Sequence, residues 1–509
     1  MIDALPTQSF FDQHPWLLRI LLLVCFAGAL GVRLIDITDL PLDYQPTRQL
    51  QPMIKARGMY YQSLTTVPTW QRELAIAQWK AQPVEEPEVM EYLAVFSYRI
   101  AGSVELWIPR LYSILFWLIG GIALFALMRE MVGTDGAIVG LVFYLFTYYA
   151  TIASRSFQPD PLMVMFVILG FWAFYRWNRS PSWAWTVAAG LLCGLAIYIK
   201  VPAIFFIAGG MIGLLLGERG LKKTVRDPKV WVLGFLALLP ALIYHLWGTL
   251  VTKNLGNGYY DLRIYPSLLL HPVSYIQWVA EINQVVGFPA FLMSLLGTFL
   301  LASRRARSLA AGLWVGYFAF GAVFIYFTTS HDYYHLPLYP IVAIGVAALA
   351  QVVIGHLRAQ WKSSWIYLLV IGLMIAWAGQ QALTVRSTLV NTDYRPEAAF
   401  WQKLGDELRS YSTVGITQDY AGRLQYWGWY NIEYWPTIGD FQKSAITGGQ
   451  EDLNALFKQK TSGKQLFVVT DLAQLDRQPG LKEILENDYP VFDQGPTYII
   501  FDLRKPKSG

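Results

Sequence analysis

Apolar runs of about 20 residues recur along most of this 509-residue chain, and they restrict its fold more than any other feature. A helix of that length crosses a hydrocarbon core of about 30 Å. Within such a core only helices and closed barrels satisfy every backbone N–H and C=O. Candidate spans fall near 16–35, 107–128, 135–152, 161–176, 183–199, 202–217, 230–250, 286–302, 309–328, 336–355 and 364–383. That is about eleven by the window rule. The charge content agrees: 15% of residues are charged, where a soluble chain would have about one-quarter. The expected class is a polytopic α-helical membrane protein. Cys25 and Cys193 both lie inside expected spans, so no disulfide framework is expected. The first apolar run lacks a basic n-region and is too long for a signal peptide, so a retained anchor is expected.

Orientation follows from where the short loops keep Lys and Arg. One set holds Arg129, then Arg176 and Arg179, then "ERGLKKTVRDPK", then Arg304, Arg305 and Arg307, and finally Arg358 and Lys362. The alternate connections hold far fewer basic residues. The positive-inside rule then places the N-terminus in the cytoplasm and the C-terminal region outside. The pattern "NRS" at Asn178 falls on the inner side, which argues against glycosylation there.

Three outer segments stand out. The first, 36–106, carries "TRQLQPMIKARGMYYQ" and "VMEYLAVFSYRIAG", whose apolar residues recur at three- and four-residue spacing, as in helices lying at an interface. The second starts at Val251. The third changes composition sharply: "PEAAFWQKLGDELRSY", "TVGITQ", "QLFVVTD", "LKEILEND" and "TYIIFDL" alternate helical and strand patterns. The expected organisation is therefore a transmembrane domain over 1–383 and an extracytoplasmic α/β domain over 384–509. Nothing in the chain points to nucleic acid.

Charge near a bilayer is retained against a cost of at least about 2.5–3.5 kcal/mol at the centre. Here the notable charges sit at the outer ends of spans: Asp36, Asp39, Asp43 and Arg48 after the first, and Arg155 and Asp160 in "ASRSFQPDP". Lys200 follows in "YIKVP", and His331, Asp332 and His335 in "TTSHDYYHLPLYP", with Tyr333 and Tyr334 between the histidines. Singly, each has an ordinary reading as a solvated loop acid, a snorkelling cation or an aromatic anchor. Together they share one face of the membrane, which is what an active site at that depth needs. The two histidines are four apart, but Pro337 argues against a regular helix holding them, so no divalent metal and no other cofactor is expected.

The order "PLDYQPTRQ", "EEPEVMEYLAVFSYRIAGSVELWIPRLYS", "ASRSFQPDPLMVMF", "YIKVPAIFF", "HDYYHLPLYP" resembles the GT-C glycosyltransferases that use lipid-linked sugars. More specifically it resembles the PMT/ArnT-like branch, which includes protein O-mannosyltransferases, aminoarabinose transferases and galacturonosyltransferase-like proteins. The resemblance spans roughly residues 15–355 and implies a GT-C fold. It implies a polyprenyl-phosphate-linked sugar as donor and an extracytoplasmic glycan, glycolipid or protein as acceptor; the missing extracytoplasmic cysteines and absence of a retention signal point to a bacterial inner membrane. It implies Asp43 as general base and Asp160 as the second acid. Two positions depart from the family pattern. Tyr44 follows Asp43 where a second acid is common, and "EEPE" stands where many members carry a Lys before two prolines. Arg155, Lys200, Arg48 and His331, in that order, are the candidates to replace that cation at the donor phosphate. Rival readings are a transporter or flippase, which would favour inverted repeats and midplane sites not evident here, and a non-catalytic GT-C relative.

Overall fold

The computed structural model describes residues 9–84, 86–253, 255, 264–361, 365–446, 448–449 and 452–507. Two compact units emerge. One comprises Met1–Ile37, Val84–Val89 and Trp107–Asn391; the other comprises Thr38–Pro83, Met90–Leu106 and Thr392–Gly509.

Every stretch expected to span carries helix in the first unit. Among the described residues, six helices are long and apolar enough to cross a membrane. The count becomes seven if the bent pair Pro272–Val285 and Phe288–Leu300, 92° apart, makes one span. Two of the four remaining expected spans are shorter apolar helices. Thr134–Phe146 has 13 residues and ends where Thr147 turns extended, and Trp183–Ile199 has 17. The broken end at Thr147 is stabilised from outside, since the Tyr148 N–H donates to Gln381 Oε1 at 2.8 Å.

Helices Ala203–Arg219 and Arg304–Val323 cross on paired small-residue repeats, Gly209/Gly213 and Gly312/Gly316. A Cβ on Gly209 would lie 2.5 Å from the Gly312 carbonyl oxygen, and one on Gly213 would lie 2.6 Å from the Gly312 Cα. Lipid tails supply no hydrophobic drive for helix pairing, so close backbone approach between small residues is a principal source of attraction. Pro15–Leu34 carries a fully buried Arg33. Its guanidinium donates to Ser154 Oγ at 2.7 Å and to the carbonyls of Leu145 and Ala29 at 2.9 and 3.0 Å.

The second unit gathers the first-loop helices and the C-terminal region. Its five strands are β1 (Thr413–Ile416), β2 (Glu433–Tyr434), β3 (Leu466–Val469), β4 (Val491–Gly495) and β5 (Tyr498–Asp502). They run in the order β2-β1-β3-β5-β4. The first three are parallel; β5 lies antiparallel to β3 and to β4. Alternate residues of β3 serve opposite faces, as the pleat requires. Leu466 and Val468 join Trp401, Leu404, Leu408 and Leu424 on one face, while Phe467 and Val469 join Trp435, Phe457, Leu481 and Leu485 on the other. The expected strands at 413, 466 and 498 are present. The short β2 and the half-exposed β4 carry no comparable apolar pattern.

The two first-loop helices expected at a surface differ. Val89–Ala101 exposes Tyr92, Phe96 and Ile100 as a stripe spaced by four, the pattern of an interfacial helix. Pro46–Gln62 is instead buried along most of its length, from Gln49 to Tyr60. Its Gly58 allows close approach to helix Thr69–Ala81, where a Cβ would lie 2.6 Å from the Ala75 carbonyl oxygen. That third helix is not among the expected elements: its apolar positions, Trp70, Leu74 to Ala77 and Trp79, form no single stripe.

Candidate active site

In the first unit the residues from three separate motifs converge on Lys200. Helix Trp183–Ile199 ends at Lys200 in extended backbone, as expected just ahead of Pro202, because a proline disfavours helical geometry in the preceding residue, Val201. The break between this helix and Ala203–Arg219 leaves the Lys200 side chain buried, at 3% exposure. Its Nζ donates to Asp160 Oδ1 at 2.7 Å and lies 3.5 Å from Glu86 Oε1. The ammonium also sits over the rings of Tyr334 and Tyr333, 4.6 and 5.0 Å from their centroids. One cation therefore faces two carboxylates and two aromatic faces, which attract a cation through their quadrupoles.

Asp160 opens helix Asp160–Arg179, with Pro161 behind it. A carboxylate there is favoured by the partial positive charge of the helix N-terminus. The preceding loop is held by residues from span two. Arg110 Nε donates to the Arg155 carbonyl at 3.3 Å, Arg110 Nη1 to the Ile37 carbonyl at 2.9 Å, and Ser113 Oγ to the Ser156 carbonyl at 2.6 Å. Arg155 itself is buried and donates from Nη2 to the Asp36 carbonyl at 3.1 Å. Gln158, between Arg155 and Asp160, is buried with neither side-chain atom bonded to the described protein, and Asp160 Oδ2 is in the same condition. Buried polar atoms are nearly always partnered, so these atoms offer donors and acceptors to a polar ligand.

The "HDYYH" segment forms a 3-10 turn, Asp332–His335. Asp332 accepts from Gln284 Nε2 at 3.1 Å. The His331 ring nitrogen Nδ1 lies 2.8 Å from Ser330 Oγ. His335 is enclosed: its Nε2 lies 2.8 Å from the Thr328 carbonyl and its Nδ1 2.8 Å from the Tyr317 hydroxyl. A carbonyl only accepts, so Nε2 carries the proton and Nδ1 takes the Tyr317 hydrogen. Both nitrogens are thus used in the core. Among the described residues, no group of three or more His, Cys, Asp or Glu comes together in a way that would hold a metal ion.

Asp43 and Arg48 belong to the second unit. Arg48 is half-buried near the start of helix Pro46–Gln62. Asp43 is half-buried in the turn before that helix. The turn is fixed by Gln49, whose Nε2 donates to the carbonyls of Tyr44 at 2.5 Å and Pro41 at 3.2 Å, and by a left-handed Gln45 at φ +42°. Asp39 is engaged structurally, accepting from the Tyr394 N–H at 3.2 Å. Asp43 lies near the Tyr394 side chain. Burial first, and then the charge of Asp43, push that phenol above its ordinary value.

The structure thus unites Asp160, Lys200, Tyr333 and Tyr334. The His331 ring lies edge-on to Tyr333 and Tyr334, 5.6 and 6.0 Å between centroids, and Asp332 shares their turn, while Arg155, in the loop before Asp160, is turned to the Asp36 carbonyl. Sequence reasoning missed Glu86, Gln158 and Arg110. Glu86 was visible only as the residue standing where a family Lys was expected, and Arg110 as a charge within an expected span.

Residues 85–247 match the family model of the dolichyl-phosphate-mannose-protein mannosyltransferases. Among solved structures, ArnT from Cupriavidus metallidurans in the apo state aligns over 97% of this chain and 98% of its own, at 14% identity and a TM-score of 0.58. The fold is the GT-C fold that this chain shares with ArnT. The same ArnT bound to undecaprenyl phosphate gives 13% identity and a TM-score of 0.56 over the same shares of the two chains. The Archaeoglobus fulgidus oligosaccharyltransferase in complex with Zn and sulfate aligns over 95% of this chain and 73% of its own, at 11% identity and a TM-score of 0.54. No curated protein matches the chain by sequence. The chain is therefore similar to these proteins in fold and in one matched segment, which contains Glu86, Arg155, Asp160 and Lys200.

Proposed function

We propose that this GT-C chain is an integral-membrane glycosyltransferase that moves a sugar from a polyprenyl-phosphate donor to an acceptor hydroxyl outside a bacterial inner membrane. The observation that carries the reading is the Lys200 centre: a buried cation, two carboxylates and two tyrosines assembled from three motifs inside a fold shared with ArnT and an oligosaccharyltransferase.

The chemistry asks for a base at the acceptor and positive charge at the leaving group. In the proposed step Asp43 accepts the acceptor hydroxyl proton as the oxygen attacks the sugar anomeric carbon. The bond from that carbon to the phosphate oxygen breaks, its electron pair leaves on the polyprenyl phosphate, and one displacement inverts the configuration. A positioned base contributes roughly 10²–10⁴-fold. Stabilising the leaving phosphate in a water-poor site often contributes more. Lys200 is the cation for that role. The family pattern expects a Lys in the segment where Glu86 stands, and Glu86 meets Lys200, so the cation is supplied from the other side of the same contact. A donor phosphate would compete with Glu86, the longer of the two partners at 3.5 Å, while Asp160 at 2.7 Å keeps the ammonium in place. Arg155 is the second candidate cation, and His331, Asp332 and Arg48 are proposed as further substrate contacts. The N-terminus is assigned to the cytoplasm and the C-terminal region to the outside from the loop charges.

The test offers purified protein a panel of polyprenyl-phosphate sugars carrying hexose, uronic acid or aminopentose, and follows polyprenyl phosphate release by mass spectrometry. Release from at least one donor, accelerated by a hydroxyl-bearing acceptor, is expected. No release from any donor, together with solute uptake by proteoliposomes, would favour the transporter reading instead.

A further inference from the structure

The second unit contains an open cavity of about 400 Å³, and none of the residues assigned above to the transfer reaction lines it. That size lies within the roughly 300–1,000 Å³ of small-ligand sites. Two segments more than 300 residues apart in sequence build it. Helix Thr69–Ala81 supplies Trp70 and, one turn on, Leu74; the C-terminal region supplies Arg409, Trp429, Glu433 and Lys464, with Asn431 and Ser412 between.

The aromatic rings are held in place from behind. Trp429 sits at φ +48°, in the left-handed region that a bulky residue rarely adopts. Its ring carries the buried Arg57 guanidinium 3.9 Å from its centroid. Arg57 also stacks on Tyr426 and donates to the Tyr426 and Gln425 carbonyls and to Gln78 Oε1. Gln78 in turn donates to Asn431 Oδ1 at 3.0 Å, which ties the cavity amide to the same arginine. Trp70 lies edge-on to Trp429, 6.3 Å between centroids, and Arg409 covers one of its faces at 4.6 Å. Backbone strain that surrounding contacts over-determine is concentrated at ligand sites.

We propose that this cavity binds a saccharide. Indole surfaces fit the C–H faces of a pyranose ring, and the groups between them fit its hydroxyls. Asn431 has its oxygen occupied, leaving its N–H₂ to donate; Ser412 donates to the Gly463 carbonyl, leaving its lone pairs to accept; Glu433 accepts beside Lys460 and Lys464. A hydrocarbon chain would leave these groups without partners, and a phosphate would face the Glu433 carboxylate while both cations of the lining are engaged, Arg409 with Asp406 and Lys464 with Glu433. A peptide adding to the sheet would need a longer edge than β2, which has two residues. If the transferase reading holds, the saccharide is the glycan part of the acceptor. Binding here does not depend on that reading.

The test uses the full-length protein in detergent, without any polyprenyl donor, so its outcome is separate from turnover. Saturation-transfer difference NMR is recorded with cellobiose, chitobiose, maltotriose and digalacturonate, and with a Ser/Thr-rich peptide. Saturable transfer to the ring protons of at least one saccharide is expected. Trp70→Ala, at an exposed position, should weaken that binding about threefold to tenfold, and Asn431→Ala should weaken it in the same direction. The proposal is overturned if no saccharide shows saturable transfer, if both variants bind as the wild type does, or if the peptide binds at this position and the saccharides do not.

Discussion

Each of the two units places a buried cation against aromatic rings, and they neutralise it in opposite ways. Lys200 is met by two carboxylates, Asp160 and Glu86, under Tyr333 and Tyr334. Arg57 is met by carbonyl oxygens, the Gln78 amide, and the rings of Tyr426 and Trp429. The difference bears on what each can bind. A cation held by carboxylates can exchange one of them for another anion, such as a phosphate. A cation held by carbonyls and rings has nothing to exchange, and serves to stiffen the surface around it. The first arrangement suits chemistry on a charged group; the second suits recognition of a neutral one.

The largest effect expected from this contrast lies at Lys200. Removing one partner of a buried ion pair leaves an uncompensated charge and costs about 3–5 kcal/mol. Lys200→Met and Asp160→Leu should each lower the unfolding free energy by that order, while the double variant should recover much of the loss. A double-mutant cycle on detergent-purified protein reads the coupling; additive losses would mean the pair is not the compensated unit described. Arg57→Met should cost less, about 1.5–3 kcal/mol, the worth of hydrogen bonds to a charged group, with quenching of Trp429 fluorescence changed and polyprenyl phosphate release kept. Loss of release with folding intact would break the distinction between the two units.

The smallest effect concerns the cavity rim. Glu433 is held below its ordinary value of 4.5, first by the hydrogen bond from Lys460, which burial next opposes, and then by the Lys460 and Lys464 charges. A carboxylate with a lowered folded value stabilises above its unfolded value and loses that contribution as pH falls through the folded one. Thermal unfolding between pH 6 and 3 should therefore show a slightly shallower acid decline in Glu433→Gln than in wild type. Equal slopes would remove Glu433 from the rim's electrostatics. The pair is half-exposed, so the difference is small.

The same contrast explains what was legible in the sequence. Lys200, Asp160, Tyr333 and Tyr334 stood out because polar groups near spans are retained against a cost, so their presence is informative. The spans themselves were legible as apolar runs long enough to cross a bilayer. Glu86 was not, since an acid in an outer loop is ordinary until a fold brings it to Lys200. The aromatic cavity left no trace at all: Trp70 and Trp429 are 359 positions apart in the numbering, and tryptophan in an outer segment of a membrane protein is common. Helix Pro46–Gln62 read as a surface helix because its apolar residues recur at three- and four-residue spacing with polar residues between them. It is buried because those polar groups, Gln49 and Arg57 among them, find partners only in the folded unit.

That this chain transfers sugar from a polyprenyl phosphate with Asp43 as base is tested most directly by single-turnover release of polyprenyl phosphate from wild type and Asp43→Asn under matched conditions. The variant is expected to fold, insert and bind donor as the wild type does, while release falls by about 10²-fold or more. Release by Asp43→Asn at the wild-type rate would contradict the assignment.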